Sequence, residues 1–527
     1  MIYLAFPIGY SRASVIVSAK RSAAANGSFA LGWQCCRLGF IWVQKFTDLS
    51  RRTFRVRVAE ERQDKFEVDA DWVMPQVMRL APNGGRIDEE VRRLESIYFD
   101  TPGEGLRLFG VTLRRCIGGS GMGWQLKVPS DNAPIELQSG RRTTKVPPAL
   151  ARSVEGLLTG ESIDPVARVV TTRTVYRVLD ADGQLVLEIA DDQVESAPPD
   201  GGAAPRSWRE VEAELGPAGM KKDLKRARKL LLRAGATPGV RTKLDRALGP
   251  ISSSSHDSVA ESGTIGELVS SYLGAQCDVL ARNDVGLRTG APVVHKTRVA
   301  ARRLRSTLRV FGDIVDSGPA QQLNDELAWY AELLGEVRDR EVLYDRLSTL
   351  VAELPAEQVR GPVEAEITKT LATEQDNATQ LLNDAMRTPR YQHLMQLLRG
   401  WKSAPPLTDA AESKGTTGVK YVKEAKHNAD RRLRKAGEDI ERLHGARKAA
   451  KRVRYAAELV EPADSRMKGI ARHATDLQTL LGEHQDAVVA ADFLATISAA
   501  SDSGFTYGVL IANELKRAAD IRESLRN

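Results

Sequence analysis

Residues 295–311 read HKTRVAARRLRSTLRVF, and a close copy of the first half, HGARKAAKRVRY, begins again at His444. Side by side, the segments share the histidine, Arg298 against Arg447, Ala300 and Ala301 against Ala449 and Ala450, Arg303 against Arg452, and Arg305 against Arg454. Between these, Arg302 stands against Lys451 and Leu304 against Val453. Agreement at so many positions is an internal repeat rather than a coincidence of composition.

On a helix, His295, Arg298, Arg302, Arg305 and Arg309 fall on one face and form a cationic stripe, and His444, Arg447, Lys451 and Arg454 form a second. Val294, Ala301, Leu304, Leu308 and Phe311 recur beside the first stripe, so one side of the helix can pack while the other offers charge. Like charges one turn apart repel by a few tenths of a kcal/mol per pair, roughly, unless something negative lies across them. A solvated face of a helical bundle is the plainer reading of one such run. Two runs, with almost no acid interleaved, point instead to a polyanion.

A second matched pair supports the repeat: LLGEVRD, ending at Asp339, and LLGEHQD, ending at Asp486, follow the two basic segments at similar separations. HxxRxAxRRLR followed by LGExRD resembles the CHAD domain, an all-helical module of two bundles related by a pseudo-twofold. The resemblance covers roughly residues 264–524 and implies binding of inorganic polyphosphate along the basic stripes, with the nine stripe residues as ligands. His484, inside the second LGE motif, is placed to reach that surface. His256, His393, His427 and His473 read as surface or structural.

The chain of 527 residues is too long for one core, and its 28% charged and 42% hydrophobic residues match a globular protein. A net charge of +7 favours polyanionic partners, though local clustering matters more than the total. The four cysteines, at 35, 36, 116 and 277, have neither metal-ligand spacing nor the density of a disulfide framework, which fits a reducing cytoplasm. The early apolar window FALGWQCCRLGFIWV is interrupted by Gln34 and Arg37, is too short for a membrane span and lacks the layout of a signal peptide. Residues 1–55 show no clean period and read as a disordered extension ending in RRTFRVR.

From about residue 56 to 250 the texture is short alternating runs broken by Gly, Pro and Asp, as in antiparallel strands. The candidates are ERQDKFEV, ESIYFD, LRLFGVTLRRC, GWQLKVP, PIELQS, VVTTRTVYRVLD, QLVLEIADDQV and SWREVEAEL, with helical patterns at LARSVEGLL and KDLKRARKLLLRAG. Eight strands can close a barrel and so remove exposed edges. Along one face come Glu61, Lys65, Arg114, Lys127, Arg173, Glu188, Glu212 and Glu214. Charges of both signs make a poor core but a good site for a hard cation and phosphoryl oxygens.

ERQDKF is similar to the ExExK signature of CYTH domains, the triphosphate tunnel enzymes. YFDT, GVTLRRC, WQLKVP, EIADDQV, WREVEAELG and RTKLDRAL follow in the family's order. The resemblance implies an eight-stranded antiparallel tunnel that uses Mg2+ or Mn2+ to act on inorganic triphosphate. Glu61, Glu188, Glu212 and Glu214 would be the metal ligands, and Lys65, Arg114, Lys127, Arg173 and Lys243 would contact phosphates.

Three positions depart from that pattern: Gln63 for the second glutamate, Cys116 for the second arginine of LRxR, and Thr171 for the first base of KxR. Two functions therefore stand side by side. One is a cytoplasmic polyphosphate-binding protein whose tunnel binds or hydrolyses inorganic triphosphate; the other is a polyphosphate adaptor with a degenerate tunnel. Residues 251–263, polar and rich in Ser, read as a linker between the domains. A polymer held by the second domain would stay near the tunnel at high effective concentration. Association with polyphosphate granules would follow, with no membrane partner. Aromatic residues are 6% of the chain and no stacking motif occurs, so nucleic acid is not the expected ligand.

Overall fold

A computed structural model describes residues 55–58, 63–118, 122–130, 134–140, 143–198, 205–251, 263–499 and 501–525. The expected extension and linker therefore fall almost wholly outside the described residues, as does Glu61. The strand Arg55–Val58 starts in RRTFRVR, so the sheet begins at Arg55, the last residue assigned to the extension.

The strands are β1 (Arg55–Val58), β2 (Gln63–Val68), β3 (Arg86–Asp100), β4 (Thr112–Ile117), β5 (Gly123–Val128), β6 (Ile135–Ser139), β7 (Asp164–Leu179), β8 (Leu185–Ala197), β9 (Arg206–Leu215) and β10 (Thr237–Pro238). They form one antiparallel sheet in the order β1-β6-β5-β4-β3-β7-β8-β9-β2-β10. The antiparallel sheet domain and the helical domain after it are as expected. The closed eight-stranded barrel is corrected: among the described residues the sheet is open, with nine strands and the two-residue β10. β1 pairs with β6 and β2 with β9, so segments close together in sequence sit toward opposite ends of the sheet.

Side chains alternate across this sheet in an unusual sense. One face is apolar and covered. Phe66, Val178, Leu187, Ile189 and Val211 pack under Ala227 and Leu231 of α3 (Lys221–Arg233), while Leu113, Trp124, Leu126 and Leu137 belong to a second cluster. The other face carries the charge. At one end it is closed by Tyr98, Ala167, Val169 and Val194 under Leu244 of α4 (Lys243–Leu248). Two short helices, α1 (Pro148–Ser153) and α2 (Glu155–Leu158), occupy the β6–β7 connection.

The second domain is helical: α5 (Ile265–Arg288), α6 (Val294–Val310), α7 (Ser317–Glu353), α8 (Val363–Ala385), α9 (Pro389–Ser403), α10 (Gly418–Ala436), α11 (Ile440–Val460), α12 (Met467–Ser498) and α13 (Gly504–Ser524). Thr264 starts α5 with a capping box: its hydroxyl accepts from Glu267 N at 3.2 Å, and Thr264 N donates to Glu267 Oε2 at 3.4 Å. The repeated segments become α6 with α7 and α11 with α12, and α6 also packs on α11. Ala301, Leu304, Leu308 and Phe311 are buried, as the spacing predicts.

The two domains share one core. Leu113, Trp124, Leu126, Leu137, Leu150 and Leu157 lie in the same cluster as Leu273, Cys277, Leu280 and Val285 of α5. Asp284, fully buried, fixes the joint: it accepts from Arg288 Nε at 3.0 Å and the Tyr391 hydroxyl at 2.7 Å. Arg288 Nη1 then donates to Glu155 of α2 at 3.0 Å. Gly156 is required beneath it, because a Cβ there would sit 2.5 Å from Asp284 Oδ2. Arg399 Nη1 reaches Glu161 at 2.6 Å, and Arg282 Nε reaches the Phe109 carbonyl at 2.7 Å. With one core across the boundary, the chain should unfold in a single calorimetric transition. Asp284→Ala, which removes the buried acid partner of Arg288 and the acceptor of the Tyr391 hydroxyl, should lower the stability of both domains together by about 3–5 kcal/mol; two separate transitions would contradict the shared core.

Candidate functional site

The charged face of the sheet brings together Asp192 of β8 and Glu210 and Glu212 of β9, whose carboxylate oxygens lie within 4.8 Å of one another. Three cations meet them. Arg173 Nε donates to Asp192 Oδ1 at 2.7 Å, and its Nη2 reaches Asp192 Oδ2 at 2.6 Å and Glu212 Oε2 at 2.9 Å. Lys243, at the start of α4, places Nζ 2.6 Å from Glu210 Oε1, 2.8 Å from Asp192 Oδ2 and 3.3 Å from Glu212 Oε1. Lys65 Nζ lies 3.0 Å from Glu212 Oε1 and 3.6 Å from Glu210 Oε1.

Strand register explains the assembly. Lys65 pairs with Glu212 across β2–β9, Glu210 with Asp192 across β9–β8, and Asp192 with Arg173 across β8–β7. Burial by itself would push the Glu212 carboxyl up; Lys243, Lys65 and Arg173 overcome it and hold it well below the usual carboxylate range. Burial likewise opposes the charge on Lys243, and Glu212, Asp192 and Glu210 hold its ammonium above the ordinary lysine value.

Of the sequence-predicted acids among the described residues, only Glu212 is in this cluster. Glu188 faces Arg177 at 3.4 Å, and Glu214 is register-paired with Gln63 on one side and Glu188 on the other. Of the predicted bases, Lys65, Arg173 and Lys243 are at the cluster. Arg114 lies farther round the face, giving Gln125 Oε1 two bonds at 2.8 and 3.0 Å and Tyr98 one at 3.3 Å. Lys127 stands 3.7 Å from Glu136. Asp192 and Glu210 are not among the ligands expected from sequence. Strand parity could have found both, since 188 and 192 share one face of β8, and 210, 212 and 214 share one of β9. All the donors are carboxylate oxygens, which suits a hard divalent cation such as Mg2+ or Mn2+.

In the helical domain the two basic helices meet. Arg298 Nη1 pairs with Asp339 Oδ1 at 2.5 Å, and Arg447 Nη1 lies 3.7 Å from Asp486 Oδ1. Each guanidinium lies over the glycine of its LGE motif. A Cβ on Gly335 or on Gly482 would stand 3.1 Å from the arginine Nη2, which gives that glycine its physical purpose in both copies. Arg454 is met by Glu458 at 2.7 Å, and Arg305 Nε by the Asn324 side-chain oxygen at 3.3 Å. Arg309 is exposed.

Arg302 and Lys451, the repeat equivalents, stand differently. Among the described residues neither pairs with a carboxylate, and Arg302 Nε is buried without a hydrogen-bond partner. Burial, with Arg302, Arg447 and Arg298 nearby, brings the Lys451 ammonium down to about 7. His295 is lowered by burial and by Arg338, Arg302 and Arg298; His444 is lowered by burial and by Lys448 and Arg447. The expectation that His484 reaches the charged surface is corrected: its side chain is buried, 1% exposed, and burial together with Arg522 lowers its proton affinity.

Compared with known protein families, residues 77–236 match the CYTH domain and residues 271–495 the CHAD domain. An uncharacterized protein of Mycobacterium tuberculosis, Rv2226, is 30% identical over 501 residues, covering 88% of this chain and 94% of that protein. Among solved structures, PptA from Streptomyces chartreusis aligns at 22% identity over 50% of this chain and 98% of its own, with a TM-score of 0.41. The CHAD domain of the plant Ricinus communis aligns at 25% identity over 51% of this chain and 93% of its own, with a TM-score of 0.40.

The Lys451 shift has a consequence for stability. Between about 7 and the model-compound value of 10.5, the unfolded chain binds a proton that the folded chain has released, so this residue makes stability rise with pH across that window. Urea unfolding of the wild type and Lys451→Met at pH 7, 8 and 9 should show the rise in the wild type and a flatter profile in the variant. Parallel profiles would mean that Lys451 is charged and relieved in the folded protein.

Proposed function

Because this chain belongs to the family that joins a CYTH domain to a CHAD domain, we propose that it binds inorganic polyphosphate through the helical domain and binds and hydrolyses inorganic triphosphate on the charged face of its sheet. One observation carries the reading: cations without acid partners, Arg302 and Lys451, gathered where the two repeated helices meet. A linear chain of phosphates supplies closely spaced negative charge to such a cluster. CYTH and CHAD domains are in general associated with triphosphate and polyphosphate.

On the sheet, Lys65, Arg173 and Lys243 would hold phosphoryl oxygens, with Arg114 and Lys127 farther along the same face. Asp192, Glu210 and Glu212 would hold Mg2+ or Mn2+, which supplies charge neutralisation at the phosphoryl oxygens when bound. The reaction is attack of water in line on a terminal phosphorus while its bond to the bridging oxygen breaks, giving orthophosphate and leaving pyrophosphate, and phosphoryl transfer of this kind needs positioning and charge more than covalent help from the protein. The three cations shift from their carboxylates to the substrate, so their charge is already in place as negative charge develops.

A second reading has its own support. The Cys116 thiol, 3.8 Å from the Ser96 hydroxyl, stands where the family pattern has a base, and Gln63 brings an oxygen but no charge. The tunnel would then be a binding module only. Among the described residues, no helix is long and apolar enough to cross a membrane. A cytoplasmic place beside polyphosphate granules is consistent with the proposed ligands.

Inorganic triphosphate should release phosphate in the presence of Mg2+ or Mn2+, and Lys65→Ala should reduce the rate by about 10² or more. No release above a metal-free control supports the binding module. In that case Gln63→Glu should tighten Mg2+ binding, read by titration calorimetry. Long-chain polyphosphate binding at pH 8, followed by calorimetry in two buffers of different ionisation enthalpy, should take up protons, because a polyanion recharges Lys451, His295 and His444. The uptake should shrink in Lys451→Met.

A further inference from the structure

The internal repeat allows the two halves to be compared side chain by side chain. On α11, Glu458 accepts from Arg454 Nε at 2.7 Å, from Arg303 Nη2 of α6 at 3.0 Å, and from the Tyr272 hydroxyl of α5 at 3.3 Å. In the repeat alignment Arg305 takes the place of Arg454, Arg452 that of Arg303, and Arg309 that of Glu458. What is two cations around one anion on one side of the axis is three arginines on the other.

Nothing acidic repairs the second group. Among the described residues, Arg305, Arg309 and Arg452 have no carboxylate within ion-pair distance; Arg305 Nε bonds only the neutral Asn324. Burial and the neighbouring Arg309 and Arg432 lower Arg452, and burial and Arg309 lower Arg305, with Asp325 too distant to reverse it. Arg432 comes from α10 and leans over α11, its Nη1 3.7 Å from where a Cβ on Gly445 would stand. Beyond it, Arg431, Arg434 and Lys435 are exposed on the same helix.

We propose, resting on the polyphosphate reading above, that a bound linear polyphosphate leaves the repeat axis on one side only, over Arg305, Arg309, Arg452 and Arg432 toward α10, while Glu458 closes the opposite side. The pseudo-twofold would otherwise allow two equivalent exits and hence two registers. On the Glu458 side the carboxylate already occupies both arginines, whereas the three arginines of the related group have no acid partner among the described residues, so phosphates are held on that second side and a single direction remains.

The experiment swaps the sign at the decisive position. Arg309→Glu recreates the Glu458 arrangement on the open side, and Lys516→Glu, at an exposed site on α13, makes the same change in net charge elsewhere. Full-length proteins are titrated with long-chain polyphosphate at several salt concentrations. Arg309→Glu should weaken binding by about tenfold and flatten the salt dependence, whereas Lys516→Glu should change it by less than about twofold. The thermal midpoint of Arg309→Glu should hold or rise by about 1–4 °C, since the new carboxylate meets two arginines, so weak binding is not a folding defect. Equal losses in both variants would overturn the one-sided path and leave the binding reading standing. A wild type that does not bind polyphosphate, or from which RNA displaces it at equal phosphate concentration, overturns both.

Discussion

Charge taken out of water has to be met by opposite charge or given up, and both domains of this protein are arranged around that constraint. On the sheet the demand is met internally, where Asp192, Glu210 and Glu212 are matched by Lys65, Arg173 and Lys243. In the helical domain it is met only in part: Asp339, Asp486 and Glu458 pair with arginines of the stripes, and Arg302 and Lys451 are left over. Packing α6 on α11 brings Arg302 beside Lys451, and the lysine answers the lack of a partner by a proton affinity far below its ordinary value. The first arrangement can exchange internal ion pairs for a metal and a phosphate. The second needs something from outside.

The same constraint accounts for the architecture. A sheet whose one face holds charge has to bury its other face, and that face has two covers. One is α3; the other is reached through α5, in a core shared between Trp124 and Leu126 on one side and Leu280 and Val285 on the other. The two charged surfaces therefore belong to one packed body instead of hanging from a tether. Buried Asp284, with Arg288, Tyr391 and Glu155 around it, adds a polar lock to that joint.

Much of this was legible in the sequence because repeats and strand parity are local signals. The paired basic segments and the LGE motifs fall on helices, and each of the eight candidate runs contains a strand; but LRLFGVTLRRC is strand only from Thr112, its Arg107–Phe109 forming a 3-10 turn, and β3 begins at Arg86, well before ESIYFD. β1 was missed because its four residues straddle the end of a basic run and the boundary drawn at residue 55, and only pairing with β6 makes them a strand. Asp192 was hidden by its neighbour Asp191, which faces the opposite way and pairs with Arg209 at 2.7 Å. The common core was invisible for another reason: a serine-rich segment between two motif-bearing regions looks like a tether whether or not the flanking surfaces are apolar. Which stripe residues are neutralised was also out of reach, since Asp339, Asp486 and Glu458 meet their arginines through tertiary packing or a helical turn that charge counting does not weigh.

The central claim is that the cluster where α6 meets α11 lacks negative charge that a phosphate polymer supplies. The most direct measurement is the thermal midpoint of the full-length protein as a function of long-chain polyphosphate concentration, with monophosphate at equal phosphate as control. A ligand that binds only the folded state raises the midpoint steadily with its concentration. The account predicts such a rise with polyphosphate, shrinking as salt is added, and almost none with monophosphate. A midpoint that does not move with polyphosphate at low salt would contradict it.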